Sequence, residues 1–309
     1  MIRDATRAAL LDAVEAGPLA ADRLATLSTG FIAARFAASC YADVGDRLLC
    51  LGGPDLPNGP INVRTAALPA GLLIGDAVTI ESSRLTVWQP PNPVSRSRHS
   101  VAPGLHALRD FVSGTTMETG LTGLVFGQKM PFLLPAFADR AQAGIGDLRL
   151  WLAASDDGAD ALERGIGTLL GLGPGLTPSG DDFLVGMLVA LCETQEAGLQ
   201  ARLSETIRHL APARTAPIST AHLLAACDGM ASDALHRALQ AILCNRPSLA
   251  DDLAALAVVG HSSGWDALAG AVTVMEGASG APARALPPNP SPPGSSATHS
   301  AASPASRYG

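Results

Sequence analysis

The chain has 309 residues, 47% hydrophobic and 16% charged, with a formal net charge of −7 at pH 7. That length allows two domains with ample core, and the composition excludes a chain disordered throughout. An acidic balance without a basic cluster excludes nucleic acid as the main partner.

Five cysteines (40, 50, 192, 227 and 244) are odd in number and show no C-x-x-C spacing. Most sit in apolar contexts and read as small core residues, which fits a reduced cytosol. Met1 to Ala21 contains no uninterrupted apolar region flanked by basic residues, so no signal peptide is expected. The longest apolar run, Phe183 to Cys192, is too short to span a bilayer. A soluble, cytoplasmic protein without membrane contact is expected.

In chain order, residues 2–16 show a helical spacing of Ile2, Leu10, Ala13 and Val14, ending at Gly17-Pro18. The period then changes. Segments 31–36, 47–51, 61–65, 78–81 and 84–88 are short, partly alternating and bounded by Gly, Pro, Asn, Asp or Ser, as strands and hairpins are. Pro90-Pro91-Asn92-Pro93 ends this part. The polar stretch 94–100 follows, readable as a solvated linker or an anion-contacting loop. Beyond Gly104 the spacing predicts helices over about 104–113, 131–143, 158–170, 180–197, 199–211, 218–228, 232–244, 248–259 and 263–277. The tail from Pro282 to Gly309 is Pro-, Ser- and Ala-rich and is expected to be disordered. The expected fold class is therefore α+β: a β-rich domain with a leading helix over 1–95, a mainly α-helical domain over 96–281, and a disordered tail over 282–309.

The chemistry concentrates where a glycine- and proline-studded loop, 171–178, meets the apolar segment 183–192. Ser179 is a good N-cap there, with Asp182 at the third helical position; a cap at Thr177 with Pro178 first in the helix is the alternative register. Either register gathers hydroxyls and free N–H groups at a helix start, which suits a small anion. The loop lacks the Gly-Lys-Ser/Thr of a phosphate-binding P-loop and the spacing of a dinucleotide fingerprint.

The device recurs 84 residues later, where 179–186 aligns without gaps to 263–270, five of eight positions matching. Two independently capped helices would account for Ser179, Ser263, Asp182 and Asp266. Gly186 and Gly270 point further, since a mid-helix glycine costs roughly 0.5–1 kcal/mol against alanine and usually marks close packing or a site. A degenerate repeat predicts that the two helices cross closely at these glycines and open on one side, with Thr177 and His261 near one ligand.

Arg214 offers a planar grip on phosphate or carboxylate, and Ser219 can cap the helix after Pro217. His222, one turn further, reads as a partly exposed surface residue. No G-x-S-x-G elbow precedes a serine nucleophile. Asp181, Asp182, Asp266, His222 and His261 carry metal-ligating atoms, but no H-x-x-x-H or H-x-x-E-H pair exists and no dedicated metal site is expected. A magnesium ion brought by a phosphate substrate is compatible with the pattern; no tightly bound cofactor is expected.

At these residues the chain resembles the AllH-like family, on Gly-Leu-Gly-Pro-Gly-Leu-Thr-Pro-Ser-Gly-Asp-Asp-Phe-Leu (171–184) and Gly-His-Ser-Ser-Gly-Trp-Asp-Ala-Leu-Ala-Gly (260–270). The resemblance covers roughly residues 20–278 and is densest after 160. It implies a subunit of oxamate carbamoyltransferase in allantoin catabolism, exchanging a carbamoyl group between oxalurate and phosphate with FdrA-like and AllG-like partner subunits.

From the residues themselves, the anion is expected against the N–H groups of Gly180 and Asp181, within a loop shaped by Gly173 and Gly175. Thr177, Ser179, Arg214, Ser219 and Ser263 are expected to hold it. His261, Asp182 and Asp266 are the candidate catalytic groups, His261 because its reference pKa is near neutrality. A non-catalytic assembly subunit is the main rival, because no nucleophile–base pair is evident; a metal-dependent amide hydrolase is the third reading.

Overall fold

The computed structural model describes residues 8–94, 101–115, 120–128, 134–154 and 158–277. The expectations for residues 1–7, 95–100, 131–133 and the tail from 282 lie outside the described residues.

Seven strands form the N-terminal part: β1 (Ala9–Ala16), β2 (Thr29–Arg35), β3 (Ser39–Asp43), β4 (Leu48–Gly52), β5 (Asn62–Thr65), β6 (Ala77–Glu81) and β7 (Thr86–Val87). Their order is β5-β4-β3-β2-β6-β1-β7, and β5 also pairs with β1, which closes β1 to β6 into a barrel. The first strand serves both sides. It runs parallel to β6 and β7 and antiparallel to β5, with a register shift between Ala13 and Glu15. Closure removes the free edges that a flat sheet of this size would present.

The expected leading helix is corrected to this strand. Leu10, Ala13 and Val14 do have helical spacing, but Leu11 and Ala13 alternate inward while Leu10 and Val14 face out. Partners more than 45 residues away decide the strand, and no local period reports them. Inside, Leu11, Ile32, Leu49, Leu51, Val63, Val78 and Ile80 pack with the small residues Ala13, Cys40 and Ala42. The short helix α1 (Pro18–Leu24) adds Ala20 and Leu24 to that core.

The helical part comprises α2 (Ala102–Ser113), α3 (Thr122–Phe126), α4 (Pro135–Ala153), α5 (Ala159–Leu169), α6 (Ser179–Glu193), α7 (Ala197–Arg214), α8 (Pro217–Cys227), α9 (Asp233–Cys244), α10 (Leu249–Ala257) and α11 (Ser263–Gly277). Nine were expected from spacing; α3 and α1 are too short to show a period. α6 is apolar on every side and nearly all buried, as a central helix must be. α11 packs alongside it, with α3, α4 and α9 against α11 and α7 and α8 against α6. All five cysteines are free, and Cys40, Cys50 and Cys227 are buried as small core residues.

Candidate functional site

The starts of α6 and α11 meet. A Cβ added at Gly186 would lie 1.7 Å from Ala267 O, and one at Gly270 would lie 1.9 Å from Phe183 O. Residues 183 and 267 are themselves partners in the 84-residue match, so the contact obeys a local pseudo-two-fold relation. Thr177 Oγ1 lies 3.2 Å from Ser263 Oγ, which places both helix starts on one side, as the repeat predicts.

Capping works differently from the expectation. Ser179 is the first residue of α6, and the capping position falls on Pro178 without a side-chain bond. Ser179 instead lies beside Asp266, and Ser263 beside Asp182, so each serine serves the other helix. Asp266 is fully buried, and its Oδ1 accepts from the Leu121 N–H at 2.5 Å, supplied by the segment leading into α3. Burial raises its pKa to about 6, tempered by Leu121 N–H and the hydroxyls of Ser179 and Ser262. Asp182 is displaced upward more strongly, first by burial and then by the charges of Asp266 and Asp181, with Ser263 pulling the other way. Asp182 keeps some accessible surface as a residue, yet the Oδ2 atoms of both carboxyls are sealed and make no hydrogen bond.

Asp181 has a different task. Its side chain is fully buried and accepts from the Gly171 N–H at 2.7 Å, the Ser219 hydroxyl at 2.6 Å and the Thr215 hydroxyl. It ties the glycine loop to the start of α8. Ser219 is thus not a cap; α8 begins at Pro217 with Ala216 capping, and the Ser219 hydroxyl is spent on Asp181.

The expected anion donors are corrected too. The Gly180 N–H donates to Leu172 O at 2.9 Å and the Asp181 N–H to Pro178 O at 2.9 Å. Gly180 is glycine because its Cβ would lie 2.1 Å from Leu169 O. Free amides lie earlier in the loop: among the described residues, the N–H groups of Gly173, Gly175, Leu176, Thr177 and Ser179 make no hydrogen bond. Gly171, Gly173 and Gly175 all have positive φ, which turns this stretch of backbone outward. An open cleft of about 400 Å³ lies over it, lined by Gly171, Gly173, Gly175, Pro178, Arg214 and Thr215 among others. Arg214 ends α7 exposed, with one of its donors on Gly167 O at 3.0 Å and the others without a partner among the described residues.

His261 is exposed on the turn before α11 and makes no hydrogen bond or ion pair among the described residues. Nothing joins it to Asp182 or Asp266. Sequence reasoning missed Tyr41, on β3, and its pairing with His222, whose Nε2 lies 2.9 Å from the Tyr41 hydroxyl. His222 keeps some accessible surface as a residue, as expected, yet the burial of its ring depresses its pKa to about 4. No sequence signal pairs residues 181 positions apart, although the hydroxyl-rich stretch around His222 was a partial one. Among the described residues no group of three or more His, Cys, Asp or Glu side chains is placed to hold a metal ion, and no helix is long and apolar enough to cross a membrane.

Residues 169–275 match the model of the family described as oxamate carbamoyltransferase subunit AllH. The match spans the glycine loop, both repeat helices and Arg214, and lies wholly within the helical part. No curated protein matches the chain, and no solved structure does.

Proposed function

We propose that this chain is a subunit of an oxamate carbamoyltransferase-like enzyme and that its glycine loop holds the phosphate side of the reaction. In the direction that consumes oxalurate, a phosphate oxygen forms a bond to the carbamoyl carbon and the bond from that carbon to the oxamate nitrogen breaks. The proton of hydrogen phosphate ends on that nitrogen, giving oxamate and carbamoyl phosphate. Such a transfer needs a fixed anion site and donors aimed at developing charge, and positioning supplies much of the barrier reduction.

The single observation that carries this reading is the run of unbonded amides at 173–177, in a loop whose Gly173 and Gly175 line a cleft with Arg214. Backbone N–H groups and a guanidinium make a phosphate cradle without any lysine. Thr177, at the end of the same loop, is in contact with Ser263. The strong upward displacement of Asp182 favours an uncharged carboxyl there, which lessens the repulsion that two carboxylates would impose on an anion. An uncharged carboxyl also donates a hydrogen bond, the role we assign to Asp182 toward the carbamoyl oxygen. Magnesium, when it accompanies phosphate, would be met by the substrate oxygens rather than by a protein cage.

The second reading, an assembly subunit with chemistry in FdrA-like or AllG-like partners, is favoured by one observation: among the described residues, His261 makes no hydrogen bond and no histidine is bonded to a serine or threonine of the glycine loop. Incubating the purified chain with oxalurate, phosphate and magnesium, with and without partner subunits, separates the two. Carbamoyl phosphate from the chain alone supports catalysis here; product only after the partners are added supports assembly; none in either case contradicts the proposal.

A further inference from the structure

The face where the barrel meets α8 is apolar except for one pair. Tyr41 and Cys50 are cross-strand partners on β3 and β4, and both turn outward while their neighbours Cys40, Ala42, Leu49 and Leu51 fill the barrel. They join Ile61 and Ile218 in a small cluster, flanked by Ala221. His222 reaches into it from α8, its ring edge-on to Tyr41 at 6.2 Å and 80°.

Stability does not explain the pair. Replacing both partners of a buried hydrogen bond by apolar groups of similar shape is nearly neutral, and it avoids stripping water from a phenol and an imidazole. Placement relates the pair to the site instead. Ser219, one turn before His222, holds Asp181 and through it the glycine loop. Asp182 lies near enough to Tyr41 for its charge to add to the upward displacement of the phenol, after burial and Cys50. The second ring nitrogen of His222, Nδ1, has no hydrogen-bond partner among the described residues.

We propose that the Tyr41–His222 pair forms the acceptor-side wall of the site, with His222 Nδ1 meeting the amide end of the small carboxamide whose carbamoyl group is exchanged. The proposal rests on the carbamoyltransferase reading and makes the barrel a part of the site. Tyr41 fixes the ring and decides which nitrogen carries the proton. The ring is neutral at pH 7, since its pKa lies near 4. When Nε2 accepts from the tyrosine, Nδ1–H donates to a carbonyl; when Nε2 donates, Nδ1 accepts an amide N–H. A carboxamide offers both groups. Tyr41 against this ring, its cross-strand partner Cys50 and Asp182, whose charge bears on the phenol, all have raised pKa values. An uncharged wall of this kind selects the amide end of the ligand and leaves its anionic end to the loop.

Calorimetric titration of the full chain with oxamate and, separately, with inorganic phosphate tests this. For Tyr41→Phe combined with His222→Leu we expect an unchanged phosphate affinity, a melting temperature within about 5 °C of wild type, and oxamate affinity lower by about tenfold or more. Oxamate affinity within about twofold of wild type overturns the inference while leaving the phosphate reading intact. If the double variant does not fold, the imidazole NMR signals of the wild type decide, with His222 identified by the signal lost in His222→Asn. A shift of that signal on adding oxamate supports the contact, and its absence overturns it. A wild-type chain that binds phosphate but not oxamate overturns the inference alone; one that binds neither overturns the functional reading and this inference with it.

Discussion

Asp181 accepts from the Gly171 N–H and from the hydroxyls of Ser219 and Thr215, so one carboxylate joins the end of the glycine loop to the α7–α8 joint. Asparagine there would turn one accepting oxygen into a donor facing two hydroxyls. Asp181→Asn is expected to cost about 3 kcal/mol in urea unfolding, because the lost bonds are buried and charge-assisted; a loss near zero would show that the loop is held by other means. Asp266 and His222 make a paired prediction about pH. The folded pKa of Asp266 is raised to about 6, so its contribution is full below the unfolded value near 3.8 and is lost as pH rises through 6. The folded pKa of His222 is lowered to about 4 from 6.5, so the folded state holds fewer protons and stability rises with pH between these values. The two slopes oppose each other between pH 4 and 6. Urea midpoints should therefore rise more steeply across this window in Asp266→Asn than in wild type, and should fall in His222→Asn; parallel curves for all three proteins would contradict both assignments.

At the scale of elements, the crossing of α6 and α11 depends on two missing side chains. Gly186→Ala and Gly270→Ala would each drive a methyl group into a facing carbonyl, and a loss of at least about 3 kcal/mol, or failure to fold, is expected. Gly175→Ala meets nothing within 4 Å and strains only its φ of +91°, so it should cost about 1–2 kcal/mol. Melting curves of the three variants check this, and equal losses would contradict it. The same elements show what the sequence could disclose. The repeat was legible because its glycines lie at the contact itself, one helical turn from the matched aspartates and two from the matched serines. Strands β2, β4, β5 and β6 were legible through alternation and turn residues. β1 was misread because Leu10, Ala13 and Val14 satisfy a helical period by chance, while pairing with β5 and β6 is non-local. Asp182 and Asp266 were identifiable as residues of interest, but not their exchange of serines, which exists only once the helices cross. The free amides at 173–177 were likewise hidden, because the sequence cannot say that Gly180 N–H is already taken by Leu172 O.

At the scale of the whole molecule, barrel and helices are joined by specific polar ties. The Val94 N–H donates to Glu193 Oε2 at 3.1 Å, and Glu193 Oε1 lies 3.1 Å from His236 Nδ1, both side chains almost fully buried. His236 Nε2 accepts from the Ala231 N–H at 3.2 Å, which assigns the ring proton to Nδ1. Asn92 O accepts from Gln240 at 3.0 Å, so the proline-rich exit from the barrel is pinned on α6 and α9. A separate tie, between Tyr41 of β3 and His222 of α8, joins barrel and helices on another face. The proposed transfer requires the loop itself to be an anion site. Calorimetric titration of inorganic phosphate into wild type and Arg214→Ala tests it most directly, because Arg214 is exposed and its removal should leave the melting temperature nearly unchanged. Saturable phosphate binding is expected of the wild type, with affinity weaker by about tenfold or more in the variant, the loss of one charge-assisted contact. Phosphate affinity within about twofold in the two proteins, or none in either, would contradict it.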